Sequence, residues 1–143
     1  LDEITKTDFL ADDDGFIIGI AMSILDVHIT RAPIEGKAVF LKNFKGNIVS
    51  PKSWKAEVEN PRTTILLQNE KLQLGIIEIG TPNISKVLSF FNLGDILKKG
   101  QRIGKITWGS QVDVIVPSKY VNLQVKEGDS VRAGETLLAR FES

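Results

Sequence analysis

The chain has no cysteine, and that alone removes disulfides, thiolate metal sites and a cysteine nucleophile from consideration. It has a single histidine, His28, so a metal centre built from several imidazoles is excluded. Net charge is also missing: 18 Lys and Arg balance 18 Asp and Glu. Such a chain has no overall field to draw it onto a polyanion, and no nucleic-acid partner is expected. No apolar run approaches the roughly 18 residues of a membrane-spanning helix. No secretory leader is visible, although the chain opens on Leu1 rather than Met. Neither a Walker nor a Rossmann glycine loop is present.

What remains is an ordinary globular composition, 42% hydrophobic and 25% charged over 143 residues, enough for one domain. The acidic run Asp12-Asp13-Asp14-Gly15 reads as a solvated turn, because hard-cation loops alternate their ligands. Phe16 to Met22 is an apolar run of strand length, and Asp26 to Arg31 and Lys37 to Lys42 alternate with a period of two. Thr63–Leu67 and Leu72–Ile79, joined by the polar tip Gln68-Asn69-Glu70-Lys71, read as a hairpin. Val87–Phe91, Ile103–Thr107, Val112–Val116 and Thr136–Phe141 add further strands, with Ser85–Phe91 the one place where a short helix competes. The expectation is an all-β domain of about eight to ten short strands with at most one or two short helices.

One repeat stands out. Gly94-Asp95-Ile96-Leu97-Lys98-Lys99-Gly100-Gln101 matches Gly128-Asp129-Ser130-Val131-Arg132-Ala133-Gly134-Glu135. Two copies of Gly-Asp-x-aliphatic-x-x-Gly-Gln/Glu resemble the paired turns of barrel-sandwich-hybrid domains, the group that includes biotinyl and lipoyl carriers. These are read as turns, with no chemistry of their own.

Chemistry is sought first at the lone His28, which without context reads as structural. Its context is the segment Met22-Ser23-Ile24-Leu25-Asp26-Val27-His28-Ile29-Thr30-Arg31-Ala32-Pro33. A second segment is Trp108-Gly109-Ser110-Gln111-Val112-Asp113-Val114-Ile115-Val116-Pro117, and a third runs from Val125 to Ala139. In order and spacing these resemble the boxes "MSPLDVHVNRAP", "FGSRVDVYLP" and "VKVGDKVKAGETVLA" of the shorter phosphatidylserine decarboxylases. Ile24 stands where the first box has proline. Arg31 stands where longer members carry a second histidine. Asn60-Pro61-Arg62-Thr63 is the nearest match to the family's "NERN", and Ile79 to Val87 lacks the paired arginines of "IAGLLARRIV".

The resemblance implies one domain over residues 1–143 that cuts itself between Gly109 and Ser110 into chains 1–109 and 110–143. Ser110 would become a pyruvoyl group, the cofactor, which forms a Schiff base with a serine lipid and drains the electrons left by carbon dioxide. Gly109 is the cleavage site. His28 matches a histidine that transfers a proton or contacts substrate, a task suited to imidazole. The implied substrate is phosphatidylserine or archaetidylserine. Implied partners are that phospholipid, a membrane surface met peripherally and a second copy of the chain, with a cytoplasmic location at the inner face of the membrane. Two other readings stay open: a non-catalytic relative used for binding, and a carrier domain displaying Lys119. Trp54, with Lys52 and Lys55 nearby, suits either an interfacial contact or a cover over core.

Overall fold

The computed structural model describes residues 14–45, 60–80, 87–107, 110–119 and 121–142. Among them are eleven strands and no helix. The strands are β1 (Gly15–Met22), β2 (Ile29–Arg31), β3 (Gly36–Phe44), β4 (Arg62–Gln68), β5 (Gln73–Ile79), β6 (Val87–Ser89), β7 (Ile96–Leu97), β8 (Arg102–Ile106), β9 (Ser110–Pro117), β10 (Val121–Leu123) and β11 (Ala139–Phe141). The all-β expectation is met. The segment where a helix competed holds strand β6, and the strand expected from Thr136 shrinks to β11.

Six strands form one sheet in the order β1-β9-β5-β4-β3-β7, three form a second in the order β2-β8-β6, and β10 pairs with β11. Every pairing is antiparallel. The middle strands β4 and β5 are buried nearly end to end, with an apolar cluster on each of their faces. Their tip is closed by Asn69: its N–H donates to the Leu72 carbonyl at 3.0 Å, and its side-chain oxygen accepts from Lys71 and Leu72.

Alternation along β5 divides the core. Leu74 and Ile76 belong to a cluster with Ile65, Leu67 and Val112 of the large sheet and Ile103 and Ile106 of β8. Ile77 and Ile79 point the other way, to a cluster with Leu66 and Ile115. The first cluster therefore joins the six-stranded sheet to β8 of the three-stranded one.

The repeat is a structural repeat in detail. Gly94 and Gly100 have φ of 95° and 81°, and Gly128 and Gly134 have 89° and 77°, a region that only glycine enters without strain. Asp95 accepts from the Asn92 N–H at 2.9 Å and Asp129 from the Lys126 N–H at 3.0 Å. The first copy is stitched to the chain after β2: Gly100 donates to Ala32 at 2.8 Å and Ala32 to Gln101 at 2.9 Å. Arg31 adds a side-chain bond to the Gly100 carbonyl at 2.8 Å.

Candidate active site

Ser110 is the first residue of β9, and its backbone lies opposite Met22, the last residue of β1. Gly109 and Trp108 fall outside the described residues, as do Asp12, Asp13, Trp54 and residues 81–86. The neighbour of β9 on its other side is β5, where Gln111 faces Ile79 and Val112 faces Glu78. Since Val112 is opposite Glu78, position 110 is the diagonal neighbour of Glu78, roughly 7–8 Å away backbone to backbone.

From Met22 the chain turns through Ser23–Asp26 to reach His28. This turn copies the repeat's closure: the Ser23 N–H donates to Asp26 Oδ2 at 2.7 Å, and the Asp26 N–H returns to the Ser23 carbonyl at 3.1 Å. The Ser23 N–H, and after it the Ser23 hydroxyl, hold the Asp26 carboxyl below its ordinary range; the charge of His28 adds a smaller pull. The His28 carbonyl accepts from the Ile106 N–H at 3.0 Å. Ile106 is fully buried in the core, and residues opposite one another on adjacent strands share a face. His28 thus sits on the inward side of the three-stranded sheet, and its Nε2 is buried without a hydrogen-bond partner among the described residues.

The next row of that sheet is Thr30, Gly104 and Ser89, each opposite the next. Thr30 Oγ1 and Ser89 Oγ are likewise buried without a partner among the described residues. Facing Gly104 from the large sheet is Glu78, which is 0% exposed, with both carboxylate oxygens unpartnered among the described residues. A Cβ at position 104 would land on Glu78 Oε1, so the missing side chain is what makes room for the carboxyl. Burial pushes the Glu78 carboxyl up from its ordinary 4.5 to about 7. The Thr30 hydroxyl, close enough to oppose that rise, lacks hydrogen-bond geometry to it, so desolvation wins.

The structure places the start of β9 beside the end of β1, from which the chain turns to His28, and adds Glu78, Thr30 and Ser89, which sequence reasoning passed over. The available signal was one carboxylate inside the apolar run Leu74-Gly75-Ile76-Ile77-Glu78-Ile79. Asn60 has a buried, unpartnered Oδ1 among the described residues, and Arg62 stacks on Phe44 at 4.3 Å. By its strand register Arg62 is opposite Ile79, on the face away from Glu78. Lys119 lies in the exposed turn between β9 and β10.

Comparison with known proteins decides the family. The model of the phosphatidylserine decarboxylase family matches residues 2–139. This chain belongs to the phosphatidylserine decarboxylase family. It is 40% identical over 124 residues to a phosphatidylserine decarboxylase proenzyme of Erythrobacter litoralis, covering 86% of this chain and 49% of that one. It is 34% identical over 125 residues to the proenzyme of that name from Carboxydothermus hydrogenoformans, covering 87% and 59%. A Methanocaldococcus jannaschii protein, by name a candidate archaetidylserine decarboxylase proenzyme, is 36% identical over 124 residues, covering 87% and 60%. This decarboxylase-family chain thus spans about half to three-fifths of the length of these relatives. No solved structure matches it.

Proposed function

We propose that the chain is the catalytic part of a pyruvoyl-dependent decarboxylase of serine phospholipids, matured by its own cleavage between Gly109 and Ser110. The observation that carries this is the placement of Ser110. β8 ends at Ile106 and β9 begins at Ser110, so a cut before Ser110 falls between strands and leaves both whole. The new chain end would stay pinned between β1 and β5, whose registers include Met22–Ser110 and Ile79–Gln111. The donor set also fits a small polar group at that end: Glu78, Thr30, Ser89 and His28 hold buried polar atoms without partners among the described residues.

In the cleavage, the Ser110 hydroxyl attacks the Gly109 carbonyl, and the acyl group moves from nitrogen to oxygen. Elimination breaks the Cβ–O bond and releases the Gly109 carboxylate. Uptake of water and loss of ammonia leave a pyruvoyl group at position 110. That group supplies an electron sink for decarboxylation of a bound amino acid head group. The chain's own residues would do the rest. The ends of β1 and β5 fix position 110, a proximity effect. His28 would give or take the proton.

The lipid surface is met by the turn that leads to His28. Ile24, Leu25 and Val27 are 66%, 91% and 70% exposed, three apolar side chains in a stretch whose one charge is Asp26. Apolar side chains at such a tip fit the acyl boundary of a bilayer, while the adjacent His28 faces inward. Among the described residues no helix is long and apolar enough to cross a membrane. A peripheral contact and a location at the inner membrane face follow from this reading. The carrier alternative has only the repeat turns behind it.

The test is intact mass under denaturing conditions for the purified protein and for Ser110→Ala. Two fragments meeting at 109/110, the second with a pyruvoyl end, are expected from the first and one uncut mass from the second. A single uncut mass for both would leave the non-catalytic binding relative as the better reading.

A further inference from the structure

A fully buried carboxyl with no partner among the described residues destabilises a fold, and a glutamine of the same shape would fit the space without a charge to desolvate. Glu78 nevertheless occupies the middle of the interior, over a glycine that leaves room for it. Among the described residues its surroundings contain one other titratable group. From the strands flanking β5, Thr63 of β4 and Val112 of β9 stand opposite it. From the facing sheet come Thr30, Gly104 and Ser89. The charged residues of these strands are turned elsewhere. Arg62 and Asp113 pair with Ile79 and Ile77 on the far face of β5. Arg102 and Lys105 of β8 are exposed, and Arg31 of β2 is bonded to Gly100. His28 lies one row along from Thr30 on the same inward face, about 6–7 Å along the strand.

We propose that Glu78 is a positioning residue for His28, its carboxylate stabilising the imidazolium that forms when His28 takes a proton, across the Thr30 hydroxyl. The proposal deepens the decarboxylase reading and rests on it for the purpose of that proton. Asp26 is the other carboxyl bearing on His28, but it is exposed and committed to the Ser23 N–H. His28 is one row beyond the Thr30–Gly104 row that Glu78 faces, and at a remove on the order of 10 Å through protein interior an ionised Glu78 is worth about an order of magnitude in a proton equilibrium.

The experiment uses the uncut Ser110→Ala protein, so that its outcome does not depend on cleavage. As the single histidine, His28 gives ring-proton resonances that need no assignment strategy. If Glu78 stabilises the imidazolium, the midpoint of their pH titration should move to lower pH by about one unit in Glu78→Gln. Asp26→Asn should move it by less. An identical titration with and without Glu78→Gln would overturn the proposal, as would a larger shift in Asp26→Asn than in Glu78→Gln. In the cleaved protein, Glu78→Gln should slow carbon dioxide release from a serine phospholipid about tenfold at pH 8 and flatten its pH dependence, with Glu78→Asp recovering part of the rate. Should the unsubstituted protein remain uncut, the Ser110 reading fails, and the resonance titration still decides the role of Glu78.

Discussion

Glu78→Gln should make the protein more stable at neutral pH, and the gain should appear only above the ordinary carboxyl range. In the unfolded chain Glu78 ionises near 4.5; in the fold it holds its proton to about 7. Below 4.5 both states carry the proton and glutamate costs nothing extra. Between 4.5 and 7 the folded state binds more protons than the unfolded state, so stability falls as pH rises, at about 1.4 kcal/mol per pH unit for this one group. Above 7 both states are ionised and the loss levels off. The separation corresponds to about 3 kcal/mol, a large fraction of the total for a domain of this size. The assay is urea unfolding at half-unit steps from pH 4 to 8.5, for the parent and for Glu78→Gln in the uncut Ser110→Ala background. The difference between the two curves should open from pH 4.5 and reach a plateau near 7 to 8, with equal m-values. A constant difference across that range, or a difference that shrinks as pH rises, would refute the account of Glu78 as a desolvated carboxyl.

Gly104→Ala should destabilise by about 1–3 kcal/mol, since its Cβ meets the carboxylate of Glu78, which is fully buried. In a Glu78→Ala background the same substitution should cost at least ~1 kcal/mol less, and strict additivity in denaturant unfolding would speak against that contact. Leu25→Asp should lower co-sedimentation with vesicles containing a serine phospholipid by about fivefold or more, the scale of losing one buried leucine, while leaving the unfolding midpoint within error. Equal sedimentation of the two proteins would remove the apolar turn as the membrane contact.

How much of this was legible in the sequence depended on how local the determinant was. The Gly-Asp repeat was readable because each copy is closed by its own side chain within a few residues, Asp95 to Asn92 and Asp129 to Lys126. The hairpin was readable for the same reason, through Asn69. Strand β11 was overestimated because Thr136, Leu137 and Leu138 have strand-forming side chains, yet Thr136 is spent on capping the Arg132 N–H at 2.8 Å. Position 110 and His28 were marked by their motifs, but what surrounds them was not. Those surroundings depend on β1 pairing with β9 and on β2 pairing with β8, contacts between distant segments that no periodicity specifies. Glu78 was overlooked because a period of two says which face a residue takes, whereas its burial is decided by a glycine on another sheet.

The position of β9 has a consequence for assembly. It is an interior strand of the six-stranded sheet, with eight residue pairs to β1 on one side and five to β5 on the other. A cut before Ser110 would turn one polypeptide into a heterodimer whose smaller member is threaded through the larger. The two pieces would never have to find each other: made joined and folded as one, they would part covalently only afterwards, so that each pair starts at a one-to-one stoichiometry. Once unfolded, they would have to meet by diffusion, with no tether to set the local concentration. Recovery would then depend on dilution in a way that the uncut chain's would not.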